Sequence, residues 1–203
     1  HWELGYAYRF AGLLDESIKE CERARQLDPE VKINSSALNS YLYAGDYDRF
    51  LESLPDRDDI AFIVFYRGFG NYYLKNWNSA SADFDRAYEL DRSLYTQIGK
   101  AMSFAIKGQQ LEAVEMLRVT EKGIEQSGVG DAEGIYKVAQ GFAVAGDRQS
   151  ALRVLGRSIE LGFFCYPYFM SDPLLETIRS EPEFARLMEL ARNRHEEFKN
   201  KFF

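Results

Sequence analysis

The stretch His1–Glu30, HWELGYAYRFAGLLDESIKECERARQLDPE, holds two helically periodic runs hinged at Gly12. Gly5 and Tyr8 precede the hinge by seven and four residues, and Ser17 and Cys21 follow it by five and nine. Two antiparallel helices joined by a tight turn need a permissive turn residue, usually Gly. They also need small residues where the backbones approach and large ones to fill the space between. The spacing therefore predicts a helical hairpin. One hairpin cannot cover its own apolar face, so it must stack on another.

Outward from this unit, the pattern recurs. Gly12, Gly45, Lys75, Gly108 and Gly146 stand 33, 30, 33 and 38 residues apart. Five residues after each anchor come Ser17, Phe50, Ala80, Ala113 and Ala151, and nine after come Cys21, Leu54, Phe84, Leu117 and Leu155. Seven before come Gly5, Leu38, Gly68, Ala101 and Ala139, and four before come Tyr8, Tyr41, Asn71, Phe104 and Phe142. A period of this length is the signature of a two-helix repeat array. The expected boundaries are 1–30, 31–58, 59–93, 94–130 and 131–163, with 164–203 as C-terminal capping helices.

The first segment, with Leu4-Gly5, Tyr8, Gly12, Ala24 and Pro29 in register, resembles a tetratricopeptide repeat. The third is similar through Gly68, Ala80, Phe84 and Ala87, and the fifth through Ala139, Phe142, Gly146 and Ala151. The resemblance covers about residues 1–163. It implies an all-α, right-handed superhelical solenoid of about five hairpins, and a family that binds many unrelated partners. There are departures. Pro55 should end the second repeat's second helix early, Phe50 stands where a small residue is usual, and Lys100 occupies an apolar position. The fourth repeat's second helix is expected to run long, through Gly123 into a loop at 126–131. Members of the family that clamp a chaperone's C-terminal carboxylate use Lys, Asn and Arg; here Asn39 matches one point, but Tyr66, Tyr95 and Gly99 occupy others.

In the C-terminal segment, Asp172-Pro173 predicts a capped helix start, and Ser180–Glu183 predicts a capping box. Phe184, Leu187, Met188 and Ala191 form one apolar stripe, with Arg186, Arg192, Arg194 and Glu196 outside it. The stretch DPLLETIRSEPEFARLMEL resembles the tail of repeat arrays in bacterial multidomain regulators, where the array follows a serine/threonine kinase or DNA-binding domain. Because the chain begins at His1, inside an expected helix, it reads as a piece of a longer protein.

Composition narrows the function. The formal net charge of −7 argues against binding duplex nucleic acid, whose affinity comes mainly from Lys and Arg on phosphates. No apolar run approaches the ~20 residues that span a bilayer, so no membrane insertion is expected of this segment. Cys21 and Cys165 fit no metal spacing and read as compact hydrophobes; a disulfide and the compartment stay open. Of two histidines, His195 is expected to be solvated on the charged face of the last helix. Gly68-Phe69-Gly70 only imitates a dinucleotide loop. Asp56-Arg57-Asp58-Asp59 reads as a solvated turn, not a calcium loop, and the sequon Asn34-Ser35-Ser36 falls in an expected helix. No catalytic, cofactor or metal residues are assigned.

In a stack of this kind the first helix of each pair lines the concave wall. That wall is expected to present Tyr6, Arg9 and Phe10, then Asn39 and Tyr43, then Phe62, Phe65, Tyr66, Phe69, Tyr72 and Tyr73, and finally Met102, Tyr136 and Gln140. Trp2, Ser35, Leu42, Tyr95, Ile98 and Lys137 lie on the same stripe. The aromatics have two readings, as packing around the irregular second repeat or as anchors for a partner. The leading expectation is a non-catalytic protein-interaction module that grips an apolar or amphipathic peptide, helix or adjoining domain in the groove. The alternative is a structural spacer or self-association surface, giving a homodimer.

Overall fold

The computed structural model describes residues 1–28, 38–128 and 130–203. Among them the chain is helical, without a strand. The helices are α1 (Trp2–Ala11), α2 (Leu14–Leu27), α3 (Asn39–Tyr43), α4 (Tyr47–Ser53), α5 (Ala61–Tyr73), α6 (Trp77–Leu90), α7 (Leu94–Ile106), α8 (Gln110–Ser127), α9 (Ala132–Ala145), α10 (Arg148–Glu160), α11 (Tyr166–Ser171) and α12 (Pro182–Phe202), with a 3-10 segment at Pro173–Ile178. Packing is sequential. α1 lies on α2, α5 on α6, α7 on α8 and α9 on α10, while α6 meets α7 and α8 meets α9. Pro29, Ser35 and the sequon lie outside the described residues.

The five anchors are the left-handed residues of five helix-to-helix turns. Gly12, Gly45, Gly108 and Gly146 have φ of 82°, 82°, 76° and 85°, and Lys75 has φ 62°. Left-handed backbone crowds Cβ against the following carbonyl oxygen, which is why Gly dominates and Lys75 is the exception. Close approach also repeats. A Cβ on Gly5 would lie 2.8 Å from Cys21 Sγ, and one on Gly68 would lie 2.7 Å from the Phe84 ring. Both are the same pair of positions, seven before and nine after the anchor. The positions five after it, Ser17, Phe50, Ala80, Ala113 and Ala151, are all fully buried.

The second pair is short, as Pro55 dictates: α4 ends at Ser53 and Leu54 is extended. α8 runs through Gly123 to Ser127 before Gly128 turns left-handed. Lys100 pairs with Asp85 at 2.8 Å and lies over the Phe104 ring, which accommodates its charge. Gly68-Phe69-Gly70 sits inside α5. In the turn before it, Arg57 pairs with Asp59 and Arg67 with Asp58.

Three expectations for the C-terminal part need correction or refinement. Asp172 does cap, accepting from Leu174 N, but it opens a 3-10 segment. The capping box does not form: Pro182 takes the first helical position, Glu181 becomes the N-cap, and no side chain caps α12. His195 is not solvated. It is 7 % exposed, and its Nδ1 donates to the Ala11 carbonyl at 2.6 Å. α12 therefore closes against α1 as well as capping α10. Beside it, Phe164 N donates to Phe10 O at 3.0 Å, and Phe10 meets Phe163 edge-on at 5.1 Å. One cluster of buried apolar side chains extends from Leu38 to Ala191 and includes Phe163, Cys165, Tyr168 and Phe169. Seven residues between 163 and 178 add buried apolar side chains to the core: Phe163, Cys165, Tyr168, Phe169, Leu174, Leu175 and Ile178.

Candidate functional site

α9, AEGIYKVAQGFAVA, is built of small and apolar residues on every side, and nearly all of it is buried. A helix apolar all round belongs in an interior, and this one carries Glu133, Lys137 and Gln140 at spacings of four and three. They point the same way, toward α1, α3, α5 and the C-terminal segment. Two connected polar clusters result.

The first surrounds Glu133. Arg9 Nη2 donates to Oε2 at 2.8 Å. Asn39 Nδ2 donates to Oε1 at 2.8 Å and to Tyr66 OH at 3.0 Å. Tyr43 OH also donates to Oε1. Lys137 Nζ, one turn on, donates to Tyr43 OH at 3.1 Å. It lies 5.3, 5.2 and 4.8 Å from the ring centres of Tyr43, Tyr66 and Phe69, close enough for cation–π attraction. Burial pushes the Glu133 carboxyl up, but Arg9, Lys137 and the hydrogen bonds from Tyr43 and Asn39 outweigh it, so the acid sits below its usual range. Burial wins at Lys137, whose ammonium is brought down to about 8 despite Glu133.

The second cluster surrounds Asp172. Tyr136 OH and Gln140 Nε2 donate to Oδ2 at 2.6 and 2.7 Å, and Tyr73 OH and Leu174 N donate to Oδ1 at 3.0 Å each. Gln140 Nε2 also reaches the Tyr73 and Tyr168 hydroxyls at 3.0 and 2.8 Å. Burial here outweighs the donors and leaves the Asp172 carboxyl above its usual range. Burial likewise holds Tyr43, Tyr66, Tyr73, Tyr136 and Tyr168 well above ordinary phenols. Tyr43 stacks on Tyr168 at 4.1 Å and joins the two clusters.

Every carboxylate oxygen in both clusters is thus engaged by a donor of the chain itself. Such an arrangement cross-links elements distant in sequence. The open inner wall expected from the sequence is consequently a filled interior. Of its fourteen residues, Arg9, Asn39, Tyr43, Phe65, Tyr66, Phe69, Tyr73, Met102, Tyr136 and Gln140 are buried. Residues 163–172 pack on Tyr43, Tyr73, Tyr136 and Gln140, and a partner could reach these only by expelling Phe163, Phe169 and Leu175, all fully buried. At about 1.5–3 kcal/mol for each side chain returned to water, that segment is no displaceable plug. Only Tyr6, Phe10, Phe62 and Tyr72 keep partial exposure. Asn39, the one match to the carboxylate-clamp pattern, spends its amide on Tyr66 and Glu133.

Glu133, Asp172 and Tyr168 were not singled out as site residues by the sequence pattern. The first could have been, from its place in an apolar helix. Beside the aromatic edge, Tyr95 meets Phe62 at 5.3 Å, and its hydroxyl donates to Asp131 Oδ2. There a hollow of about 340 Å3 opens between α7, α8 and the start of α9, lined by Ser93, Leu94, Tyr95, Ile98, Ile124, Asp131 and Gly134. Cys21 and Cys165 are both buried. No helix among the described residues is long and apolar enough to cross a membrane. No metal-ligating group of three or more His, Cys, Asp or Glu occurs among them. In comparison with known proteins, the chain matches no family model, and no curated protein matches it significantly.

Proposed function

We propose that this chain is a non-catalytic protein-interaction module of the tetratricopeptide kind, a regulatory part of a larger protein. It takes an apolar or amphipathic segment of a partner on the edge of its inner wall, not within it. The left-handed turns at all five anchors, and the repeated Gly5–Cys21 and Gly68–Phe84 approaches, support the repeat reading. One observation carries the binding site: among the described residues of the stripe, those that keep exposure are all aromatic. Trp77, 44 % exposed, extends that edge beside Tyr72, ring to ring at 4.9 Å. Accessible Trp and Tyr are the usual anchors of protein interfaces.

The test is selection of amphipathic-helix peptides from a displayed library on the immobilised protein, followed by affinities for the selected peptides. Tyr72→Ala with Trp77→Ala is expected to weaken them at least tenfold while the melting temperature holds. Unchanged affinity in that variant would remove the edge from consideration.

Self-association is the second reading. Along the seam of α1 and α12, Leu4 and Phe203 are exposed, and Tyr8 meets Phe203 at 5.4 Å. Sedimentation equilibrium across a hundredfold concentration range distinguishes the two, since only this reading makes the mass rise with concentration.

A further inference from the structure

The hollow beside Tyr95 has a structural cause. Leu94 and Tyr95, consecutive on the first turn of α7, lean onto two different glycines. A Cβ on Gly123 of α8 would lie 2.9 Å from Leu94 Cδ2, and one on Gly134 of α9 would lie 3.1 Å from Tyr95 OH. With these side chains drawn to separate helices, the space they would have shared stays unfilled. Ile98 and Ile124, both buried, help to wall it. Apolar cavities of roughly 150 Å3 already hold a benzene molecule, and this one is about 340 Å3.

We propose that the hollow between α7, α8 and α9 is a binding site for a small, uncharged, apolar molecule of alkylbenzene size. The lining polar groups are committed elsewhere. Asp131 Oδ1 accepts from Glu133 N and Gly134 N at 3.1 Å each, and Oδ2 accepts from Tyr95 OH. Ser93 Oγ faces Thr96 Oγ1 at 3.4 Å. Apart from the Ser93 hydroxyl at the exposed rim, the occupant therefore meets polar groups already engaged within the chain and is selected chiefly by size and by the area it removes from water. An anion is repelled by Asp131. A cation would shed its water to meet a carboxylate that already accepts three bonds.

The test is 1H–15N NMR titration of the whole chain with toluene and with indole, using phenylacetate and benzylamine as charged counterparts. Saturable shifts are expected for the neutral probes, centred on residues 93–98, 124 and 134, with at least tenfold weaker binding of the charged pair. Ile98→Phe narrows the hollow from within. Ser93→Trp covers it from an exposed position whose side chain makes no cap bond, and an unchanged melting temperature verifies that this variant is folded. Each is expected to weaken toluene at least tenfold. Shifts that do not saturate or are scattered over the surface, equal binding of phenylacetate, or undiminished binding by the Ser93→Trp variant would each overturn the proposal. None of these results bears on peptide capture at Tyr72 and Trp77.

Discussion

Arg9 of α1 and Glu133 of α9 stand 124 positions apart and meet at 2.8 Å with both side chains shielded from water. The pair links the first hairpin to the fifth through the interior. Removing one partner of a buried pair leaves the other as an uncompensated charge, at a cost of about 3–5 kcal/mol. Glu133→Ala is the more damaging choice, because it strands Arg9 and Lys137 together and deprives Asn39 and Tyr43 of an acceptor. Urea unfolding should place its midpoint far below that of the unsubstituted protein. An unchanged midpoint would mean the link contributes nothing to closure.

Phe65 and Phe69 separate core from binding surface. Both are fully buried, in edge-to-face contact with each other at 5.1 Å and, for Phe69, with Phe84 at 5.3 Å. Phe→Ala in such a place costs about 3–5 kcal/mol, against a total stability of about 5–15 kcal/mol. The double variant Phe65→Ala, Phe69→Ala is therefore expected to lose its cooperative thermal transition in circular dichroism. A retained transition would mean that these rings pack less tightly than their burial implies.

The turns offer a paired test. Lys75 holds the left-handed conformation that four glycines hold at the equivalent positions, and its side chain is exposed. Lys75→Gly relieves a strain of roughly 1–2 kcal/mol, less the added entropy of a glycine in the unfolded chain. A net gain of about 0.5–1 kcal/mol is expected. Gly146→Ala should lose about 0.5–1 kcal/mol, a backbone strain of about 1–2 kcal/mol less the entropy gained by removing a glycine from the unfolded chain, because an added Cβ there meets nothing within 4 Å. Opposite signs in denaturant midpoints check both.

Those turns were legible in the sequence because they depend on neighbours along the chain: a permissive residue, small residues at fixed offsets, and a proline at 55. The filling of the interior was not. What occupies it, Phe163, Tyr168, Phe169 and Asp172, comes from a segment outside the repeat, nearly a hundred residues beyond α5. Periodicity could place Phe65 on an inner face without saying what covers that face. The aromatics of α5 have a packing explanation, since α5 meets α6 and α7 and Tyr73 meets Tyr168. His195 is a different kind of miss. The stripe Phe184, Met188, Ala191 continues to it at spacings of four, three and four, so its burial was readable, but its charge-rich neighbours Arg194 and Glu196 drew the assignment outward.

Lys137 makes the interior sensitive to pH in an unusual direction. Its folded value of about 8 lies below the ordinary 10.5, so between these values the unfolded chain binds the additional proton. The contribution of Lys137 to stability therefore rises with pH from about 8 upward, the reverse of a lysine gaining a partner. The rise is bounded at about 3 kcal/mol by the conversion of about 1.4 kcal/mol per unit. From about pH 8.5 it is opposed by the unfolded chain's thiols, which lose protons that burial makes Cys21 and Cys165 retain, and near pH 10 by the tyrosines, whose protons burial makes Tyr43, Tyr66 and Tyr136 keep; the lysine is therefore read as a difference between two proteins. The usable window is thus about pH 8 to 9.5. Glu133, held below its usual range, stays ionised throughout, and its contribution is lost only as acid protonates it. Denaturation series across the window should show the unsubstituted protein gaining stability relative to Lys137→Met as the pH rises. A difference that does not change with pH would leave Lys137 charged in its ring of Tyr43, Tyr66 and Phe69.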